Sequence, residues 1–469
     1  MLALIKNSLE RGDWREADRL CHESAGRFDH EALFHLYRGA ILAQQQDLDA
    51  AEQAFQRAIQ LDQTLVAPHK NLAQIYKAKS DPRVVESLVM ATWLDPQDPG
   101  PFQDLHRLAP ELFQFPRADI VFYTGTPWLQ MKFSPDSLET GALGGSETAF
   151  VMMACELSRL GKKVVCFCNT NARKNYDGVD YIPVAQFFLY VQANPIPILI
   201  ASRFLHPMEQ GVRAGRRLLW LHDTLGCASG EAIGPHRDRI DFLLGLSDYH
   251  IQQVCQRHHL PETKFLKTRN GFIADHFLMV PKKIPHSLIY LSRPGRGLAE
   301  ALEIHKRLKK ILPQVSLHVC GYSQWNQVAQ DQELSGLLPR LQEAGVHYHG
   351  GLGKRALAHL LCQMEVMLYP NVSAEETCCI AAIEAMAAGV PVVTSGRGAL
   401  PETVVDGVGG CVVPFAGGGE VLMQSLEKTT LELLTHKERL QALSKSAYDH
   451  AWKKYRWDQI AREWVELFL

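Results

Sequence analysis

The sequence predicts an α/β protein in which two successive Rossmann-like domains follow an all-α helical-repeat module, and three observations carry that prediction. The first hundred residues repeat with a period of about 34. Beyond a proline-rich stretch, short runs rich in Val and Ile alternate with helical segments, the pattern of a parallel sheet covered on both faces. A second series of such runs then begins, so the α/β pattern is traversed twice. A chain of 469 residues accommodates roughly three domains of ordinary size.

In the first module Asp13-Trp14-Arg15-Glu16-Ala17 recurs as Asp47-Leu48-Asp49-Ala50-Ala51, and Ile59-Gln60-Leu61-Asp62 is echoed by Thr92-Trp93-Leu94-Asp95-Pro96. Ala51, Phe55, Ala58 and Ile59 fall at helical spacing, with small residues where a neighbouring helix must approach closely. Residues 1 to 108 thus resemble two and a half to three tetratricopeptide repeats. The prolines from Pro96 to Pro116 read as a linker. The first Rossmann-like domain is expected over 117 to 280, from the runs ADIVFYT, KKVVCFC, IPILIAS and RRLLWLH and a helix from Ser146. The second is expected over 281 to 450, from SLIYLSR, a helix over 298 to 312, SLHVCGY, VHYHGG, VMLYP, a helix from Glu376, PVVTS and GGCVVP. The segment from about Tyr448 to Leu469 reads as one helix with Trp452, Tyr455, Trp457, Ile460, Trp464 and Phe468 as apolar contacts.

Composition narrows the function classes. With 46% hydrophobic and 21% charged residues the chain is globular, and a net charge of −2 gives no general attraction to nucleic acid or anionic lipid. The start, MLALIKNSLERGDW, meets charge too early for a signal peptide, and no apolar run approaches the ~18 residues of a membrane span. Eleven cysteines without a CxxC pair suit a reducing compartment, so a cytoplasmic location is expected.

The chemistry concentrates in Glu376-Thr-Cys-Cys-Ile-Ala-Ala-Ile-Glu384. On a helix, carboxylates eight positions apart share a face about two turns apart, roughly 12 Å. In a sugar-nucleotide site, carboxylates so placed could reach the sugar with one group and the ribose with the other. A helix starting near Glu376 would aim the N–H groups of Thr377 and Cys378 at a phosphate, and the small residues Cys378, Cys379, Ala381 and Ala382 leave room for it. A solvated amphipathic face is the alternative, but the segment is otherwise apolar and lies between VMLYP and PVVTS.

From about Ile120 onward the chain resembles glycosyltransferase family 4, also called glycosyltransferases group 1, whose fold is GT-B. The family's Glu, seven residues, Glu-Ala-Met-Ala-x-Gly-x-Pro-Val-Val is matched from Glu376 through Glu384 to Val393. The resemblance implies retaining transfer of a sugar from a nucleoside diphosphate sugar to an acceptor hydroxyl. It places Glu376 on the transferred sugar and Glu384 on the ribose diol. Gly141-Ala-Leu-Gly144-Gly145-Ser146-Glu147 is similar to the family's Gly-Gly-x-Glu loop, where donor phosphates approach a helix start. His222 ends a strand at the position of an acceptor-side histidine, Arg269-Asn270-Gly271 matches the segment before the interdomain link, and the last helix is expected to return to the first Rossmann-like domain. Tyr322 and Gly350 follow strand ends, where ligands bind in open α/β sheets.

One segment departs from the family. Where Gly-Arg and then Lys-Gly are usual, this chain has Ser292-Arg293-Pro294-Gly295-Arg296-Gly297, without lysine. Arg296 is assigned the diphosphate and Arg293 the place of its partner, since guanidinium forks onto phosphate oxygens. Glu376, His222 and Arg296 are the candidate catalytic residues. Gly144, Gly145, Arg293, Tyr322, Thr377, Cys378 and Glu384 complete the donor site. The nucleotide sugar is a co-substrate, and neither a resident cofactor nor a metal is expected: no Asp-x-Asp motif stands at a strand end, and His347 and His349, on one face of a strand, have no third ligand nearby in sequence. The expected partners are the donor, a protein or glycan acceptor, and a protein held by the repeats. Another GT-B enzyme, such as a sugar-nucleotide epimerase or a phosphorylase, and an inactive repeat-based binding protein stay open as alternatives.

Overall fold

The computed structural model describes residues 1–468 apart from 130–132, 142, 229, 231, 279–281 and 416–418. The expected domain boundary at 280/281 and the terminal Leu469 lie outside the described residues.

Residues 1–108 are helical: Leu2–Glu10, Trp14–Ser24, Ala32–Gln44, Leu48–Leu61, Val66–Ala78, Arg83–Leu94 and Pro99–Leu108. The first six form three pairs, and one turn geometry joins the members of every pair. Gly12, Gln46 and Ser80 take left-handed φ values of 73°, 65° and 55°. The next residue, Asp13, Asp47 or Asp81, donates its N–H to the carbonyl of Ser8, Leu42 or Tyr76 at 2.8, 3.0 and 2.8 Å, the closure that ends helices at a left-handed residue. The carboxylates of Asp13 and Asp47 then accept the N–H of Glu16 and Ala50 at 3.1 Å, so one residue stops a helix and starts the next. The spacing of these turns is the period of about 34 seen in the sequence.

The proline-rich stretch is not a simple linker. Asp98 caps a helix at the Gly100 N–H, 2.9 Å away, and Pro99 occupies its first position. Proline there presets φ and loses no hydrogen bond, so it begins the helix instead of breaking it. The third helix pair shares an apolar core with one face of the following sheet, through Tyr76, Leu88 and Trp93 against Tyr123, Phe187 and Phe188.

Eight strands make the first sheet: β1 Ile120–Tyr123, β2 Val164–Cys168, β3 Lys174–Tyr176, β4 Val179–Pro183, β5 Ile198–Ser202, β6 Arg216–Trp220, β7 Phe242–Gly245 and β8 Phe265–Lys267. Their order is β3-β4-β2-β1-β5-β6-β7-β8, parallel except for the β3/β4 pair. The second sheet holds β9 Ser287–Leu291, β10 Ser316–Cys320, β11 Val346–Gly350, β12 Val366–Tyr369, β13 Val392–Ser395 and β14 Gly410–Val413. It runs β11-β10-β9-β12-β13-β14, all parallel. Each sheet grows outward on one side of its first strand and then on the other, which opens a crevice at the carboxyl ends beside β1/β5 and β9/β12.

The closing segment is two helices, not one. Lys437–Lys454 packs on helix Ile380–Ala387 of the second half, the chain breaks at Tyr455-Arg456, and Trp457–Phe468 packs on helix Gly145–Arg159 of the first half. There Trp464 Nε1 donates to Thr268 Oγ1 at 2.7 Å. The break is where the chain returns, directly beside its outward crossing. The Phe272 N–H donates to the Tyr455 carbonyl at 2.8 Å, and a Cβ on Gly271 would stand 2.6 Å from that oxygen, so only glycine fits. Arg269 donates to both Glu463 oxygens at 2.6 Å and clamps the junction.

Candidate active site

A cavity of about 910 Å³ lies between the carboxyl ends of the two sheets and takes its lining from both. The first half supplies Thr126 to Leu129 after β1, Arg203 after β5, His222 to Leu225 after β6 and Gly144 to Glu147 at a helix start. The second half supplies Arg293 and Arg296 after β9, Tyr322 after β10, Lys354, and Glu375 to Ile380 with Glu384 after β12. The candidate catalytic and donor-site residues named from the sequence all line this one space, whereas Gly350, at the end of β11, is not among the lining residues.

Their local geometry differs from expectation at one point. The helix begins at Ile380, not Glu376, so Glu376 and Glu384 do not share a helix face, and the N–H groups of Thr377 and Cys378 are not those of a helix start. Side-chain and backbone bonds hold the preceding segment as a loop: Asn371 Nδ2 donates to the Ala374 carbonyl at 2.6 Å, Asn371 Oδ1 accepts the Ala374 N–H at 3.0 Å, and the Ala399 N–H donates to the Glu376 carbonyl at 2.7 Å. Thr377 and Cys378 instead tie the halves together. The Thr377 hydroxyl donates to the His222 carbonyl at 2.9 Å, and Asn270 Nδ2 donates to the Cys378 carbonyl at 2.8 Å. The start at Ile380 lies next to the other helix start on the cavity wall: a Cβ on Gly145 would be in van der Waals contact with Ile380 Cδ1, at 3.7 Å.

In the second half both carboxylates are already partnered. Buried Glu376 accepts the Tyr369 hydroxyl at 2.6 Å and Arg296 Nη1 at 2.7 Å on one oxygen, Oε1. Burial works against the Arg296 charge, but Glu376 and Tyr369 outweigh it and hold the guanidinium protonated. Burial, reinforced by Glu376, likewise raises the Tyr369 phenol, which stays a neutral donor. The turn that presents Arg296 needs glycine next to it: Gly297 sits at φ 114°, and a Cβ there would be 2.2 Å from the Pro370 carbonyl. Glu384 accepts Lys354 Nζ at 2.7 Å, with side-chain exposures of 7% and 11%, so salt screens this pair little. Arg293 is exposed, with Cζ 5.7 Å from the centroid of the Tyr322 ring.

The first half centres on Arg203. Its Nε and Nη2 donate to the two Asp223 oxygens at 2.8 and 3.3 Å, and Nη1 donates to Glu147 Oε1 at 3.1 Å and Ser146 Oγ at 3.0 Å. Its φ of 67° is left-handed, a strain of about 1–2 kcal/mol for a side-chain-bearing residue that this web of bonds offsets. Burial opposes the Arg203 charge, and Asp223 with Glu147 overcomes it. His222 lies beside them with Nε2 enclosed and no partner among the described residues. Burial first, then Arg203 and His250, pushes its pKa well below the usual histidine range, so the imidazole is neutral at pH 7. His250 receives the Leu246 N–H on Nδ1 at 3.3 Å, so its proton sits on Nε2, which donates to the Asp223 carbonyl at 3.0 Å.

Sequence reasoning misses Arg203, Lys354 and Trp128 in this cavity, and the buried Tyr369 that bonds Glu376. It also found no third histidine for His347 and His349. The β10/β11 register places His318 opposite His347, and His318 Nδ1 stands 3.0 Å from His349 Nε2. Among the described residues, no group of three or more His, Cys, Asp or Glu side chains is arranged to hold a metal ion.

Two facing parallel sheets with the cavity at their carboxyl ends define the GT-B glycosyltransferase fold. Sucrose-phosphate synthase from Thermosynechococcus elongatus superposes with a TM-score of 0.57 at 16% identity, over 75% of this chain and 98% of that one. HepE of Anabaena, solved in complex with UDP and glucose, gives 0.55 at 16% identity over 75% and 99%. WaaG, a glycosyltransferase involved in lipopolysaccharide biosynthesis, gives 0.54 at 16% over 74% and 99%. Residues 286–428 match the model of the family described as glycosyl transferases group 1. A lipopolysaccharide 1,2-N-acetylglucosaminetransferase of Salmonella typhimurium is 26% identical over 184 residues, 38% of this chain and 47% of that protein. A D-inositol 3-phosphate glycosyltransferase of Streptomyces griseus is 33% identical over 134 residues, 28% of this chain and 26% of that protein. The chain therefore spans less than half the length of these curated relatives. Among the described residues, no helix is long and apolar enough to cross a membrane.

Proposed function

We propose that the protein is a retaining glycosyltransferase that moves a sugar from a nucleoside diphosphate sugar to an acceptor hydroxyl. The observation that carries this reading is the convergence, in one cavity between two Rossmann-like halves, of Glu376, Glu384, Arg296, Arg293 and two helix starts. In this reading the diphosphate enters beside Arg296 and Arg293 at the helix starts of Gly145 and Ile380, where positive partial charge and guanidinium groups meet its negative charge without a metal. Arg296 exchanges the Glu376 oxygen for phosphate, and the freed carboxylate turns to the sugar hydroxyls. Glu384 takes the ribose diol, and Tyr322 lies toward the base. His222, neutral through burial, lies on the acceptor side and brings no charge there. Catalysis then rests on positioning and on neutralising the leaving diphosphate.

The division of labour follows the fold: residues 117–280 with the last helix for the acceptor, 281–450 for the donor, and 1–108 as tetratricopeptide-like repeats recruiting a macromolecular acceptor in the cytoplasm. HepE was solved with UDP and glucose, so UDP-sugars are the first donors to test. A thermal-shift series of nucleoside diphosphates and their sugars, with and without EDTA, is the direct experiment. A donor at ~100 times its Kd should stabilise the fold by about 2.7 kcal/mol, chelator or not. No stabilisation by any nucleotide, together with no slow donor hydrolysis, would refute the proposal.

A further inference from the structure

The acceptor end of the cavity is lined by a tryptophan that the helical module holds in place. Trp128 lines the cavity together with Leu129, Phe204 and Leu225, and the hydroxyls of Thr126 and Thr224 and the Asp223 carboxylate stand on the same wall. It is half-buried and lines the cavity. Its loop is pinned from below: buried Asn169 donates through Nδ2 to the carbonyls of Thr126 and Leu129, both at 2.8 Å. From behind, Trp93 of helix Arg83–Leu94 meets the Trp128 ring edge to face, centroids 5.0 Å apart at 87°. Trp93 is itself 2% exposed and stacks on His206 at 4.2 Å, so it is a fixed brace and not a mobile surface ring.

An aromatic face beside a carboxylate and two hydroxyls matches the two-sided chemistry of a sugar ring, which offers C–H bonds on its face and hydroxyls around its rim. A phosphorylated or acidic acceptor fits poorly, because among the described residues this wall carries one cation, Arg203, against the carboxylates of Glu147 and Asp223. We propose that Trp128 is the platform for a neutral acceptor sugar ring, and that Trp93 is a positioning residue through which the helical module shapes the acceptor subsite. The proposal rests on the glycosyl-transfer reading above and names the acceptor class of the same site. Beyond recruiting a partner, the module then forms part of the acceptor wall.

The test uses the full chain labelled with 5-fluorotryptophan, with UDP binding followed separately by calorimetry. In ¹⁹F spectra the Trp128 resonance, identified by its loss in Trp128→Phe, should shift as methyl hexopyranosides and neutral disaccharides are titrated into the UDP complex. Trp93→Phe, which keeps an apolar ring in the same core, should displace that resonance at rest and weaken the sugar titration about threefold, with UDP affinity unchanged. If UDP binds and Trp128 responds to no sugar, the platform assignment is overturned. If Trp128→Phe weakens UDP itself, Trp128 belongs to the donor side and the proposal likewise fails. A Trp93→Phe spectrum and titration identical to wild type would remove the bracing role. A wild-type protein that binds no nucleotide would instead refute the parent reading, a result visible in the calorimetry alone.

Discussion

The two walls of the cavity hold their charges in opposite ways. On the second half, three cations, Arg293, Arg296 and Lys354, stand among the described lining residues with three carboxylates, Glu375, Glu376 and Glu384, and the two buried carboxylates each have a cation of their own. On the first half a single guanidinium, Arg203, serves both Glu147 and Asp223, and the adjoining His222 is neutral. The difference teaches which wall can change partners. A one-to-one pair such as Arg296–Glu376 can open to an anion that replaces the carboxylate, since Glu376 would keep the Tyr369 hydroxyl. Taking Arg203 away from its two carboxylates would leave both without a cation, so that wall is built to stay as it is.

The largest effect that sharpens this contrast is expected at Glu376. Glu376→Gln retains a hydrogen-bond acceptor for Tyr369 but releases Arg296, so turnover should fall by roughly 10²–10³ while UDP binds at least as tightly. Unchanged turnover would break the exchangeable-wall idea, and steady-state rates beside calorimetry decide it. Next comes Glu384→Ala, which should weaken donor binding by about 1.5–3 kcal/mol, read by calorimetry. Donor affinity equal to wild type would remove Glu384 from the ribose.

A third effect belongs to the fixed wall and follows pH. Burial lowers the His250 pKa from the ordinary 6.5 to about 4. Between those values the unfolded chain takes up a proton that the folded chain refuses, so stability falls as pH drops from about 6.5 toward 4. His250→Asn should reduce the slope of unfolding free energy against pH in that window by at most about 1.4 kcal/mol per unit. Urea titrations at pH 7 and pH 5 give the slope, and an undiminished slope would show that His250 is not the group refusing the proton.

The smallest effect lies between the walls. Glu402 of the second half accepts the N–H groups of Asp248 and Tyr249 at 2.9 and 2.7 Å, capping a helix of the first half. Glu402→Ala should cost about 1 kcal/mol of stability in a thermal melt and expand the particle in small-angle scattering. An unaltered scattering profile would mean that this cap does not hold the halves together.

Much of the fold was legible because buried parallel strands are continuous apolar runs, as in Val164–Cys168 and Val366–Tyr369. β3 and β8, three residues each and carrying lysine, have no such signature. In the site, the Glu376/Glu384 pattern picks out two residues that the fold brings to one cavity, although the shared helix that their spacing predicts does not form. The small residues around Cys378 suit helix and loop alike, and bonds from Asn371 and Ala399 decide for the loop. Arg203 and Lys354 were invisible because what marks them is a partner far along the chain or a left-handed backbone. Pro99 misled for the opposite reason: the same ring that stops a helix in its middle starts one at its first residue.

The paired crossings at Gly271-Phe272 and Tyr455-Arg456 make the second half an insertion within the first, entered and left at a single place. Two chain segments bonded side by side act as a ribbon hinge, which bends readily about one axis and resists twist about the others. Any swing of one half against the other would thereby be guided at that junction. A cut in either segment alone would leave the halves covalently joined through the other and would remove that guidance.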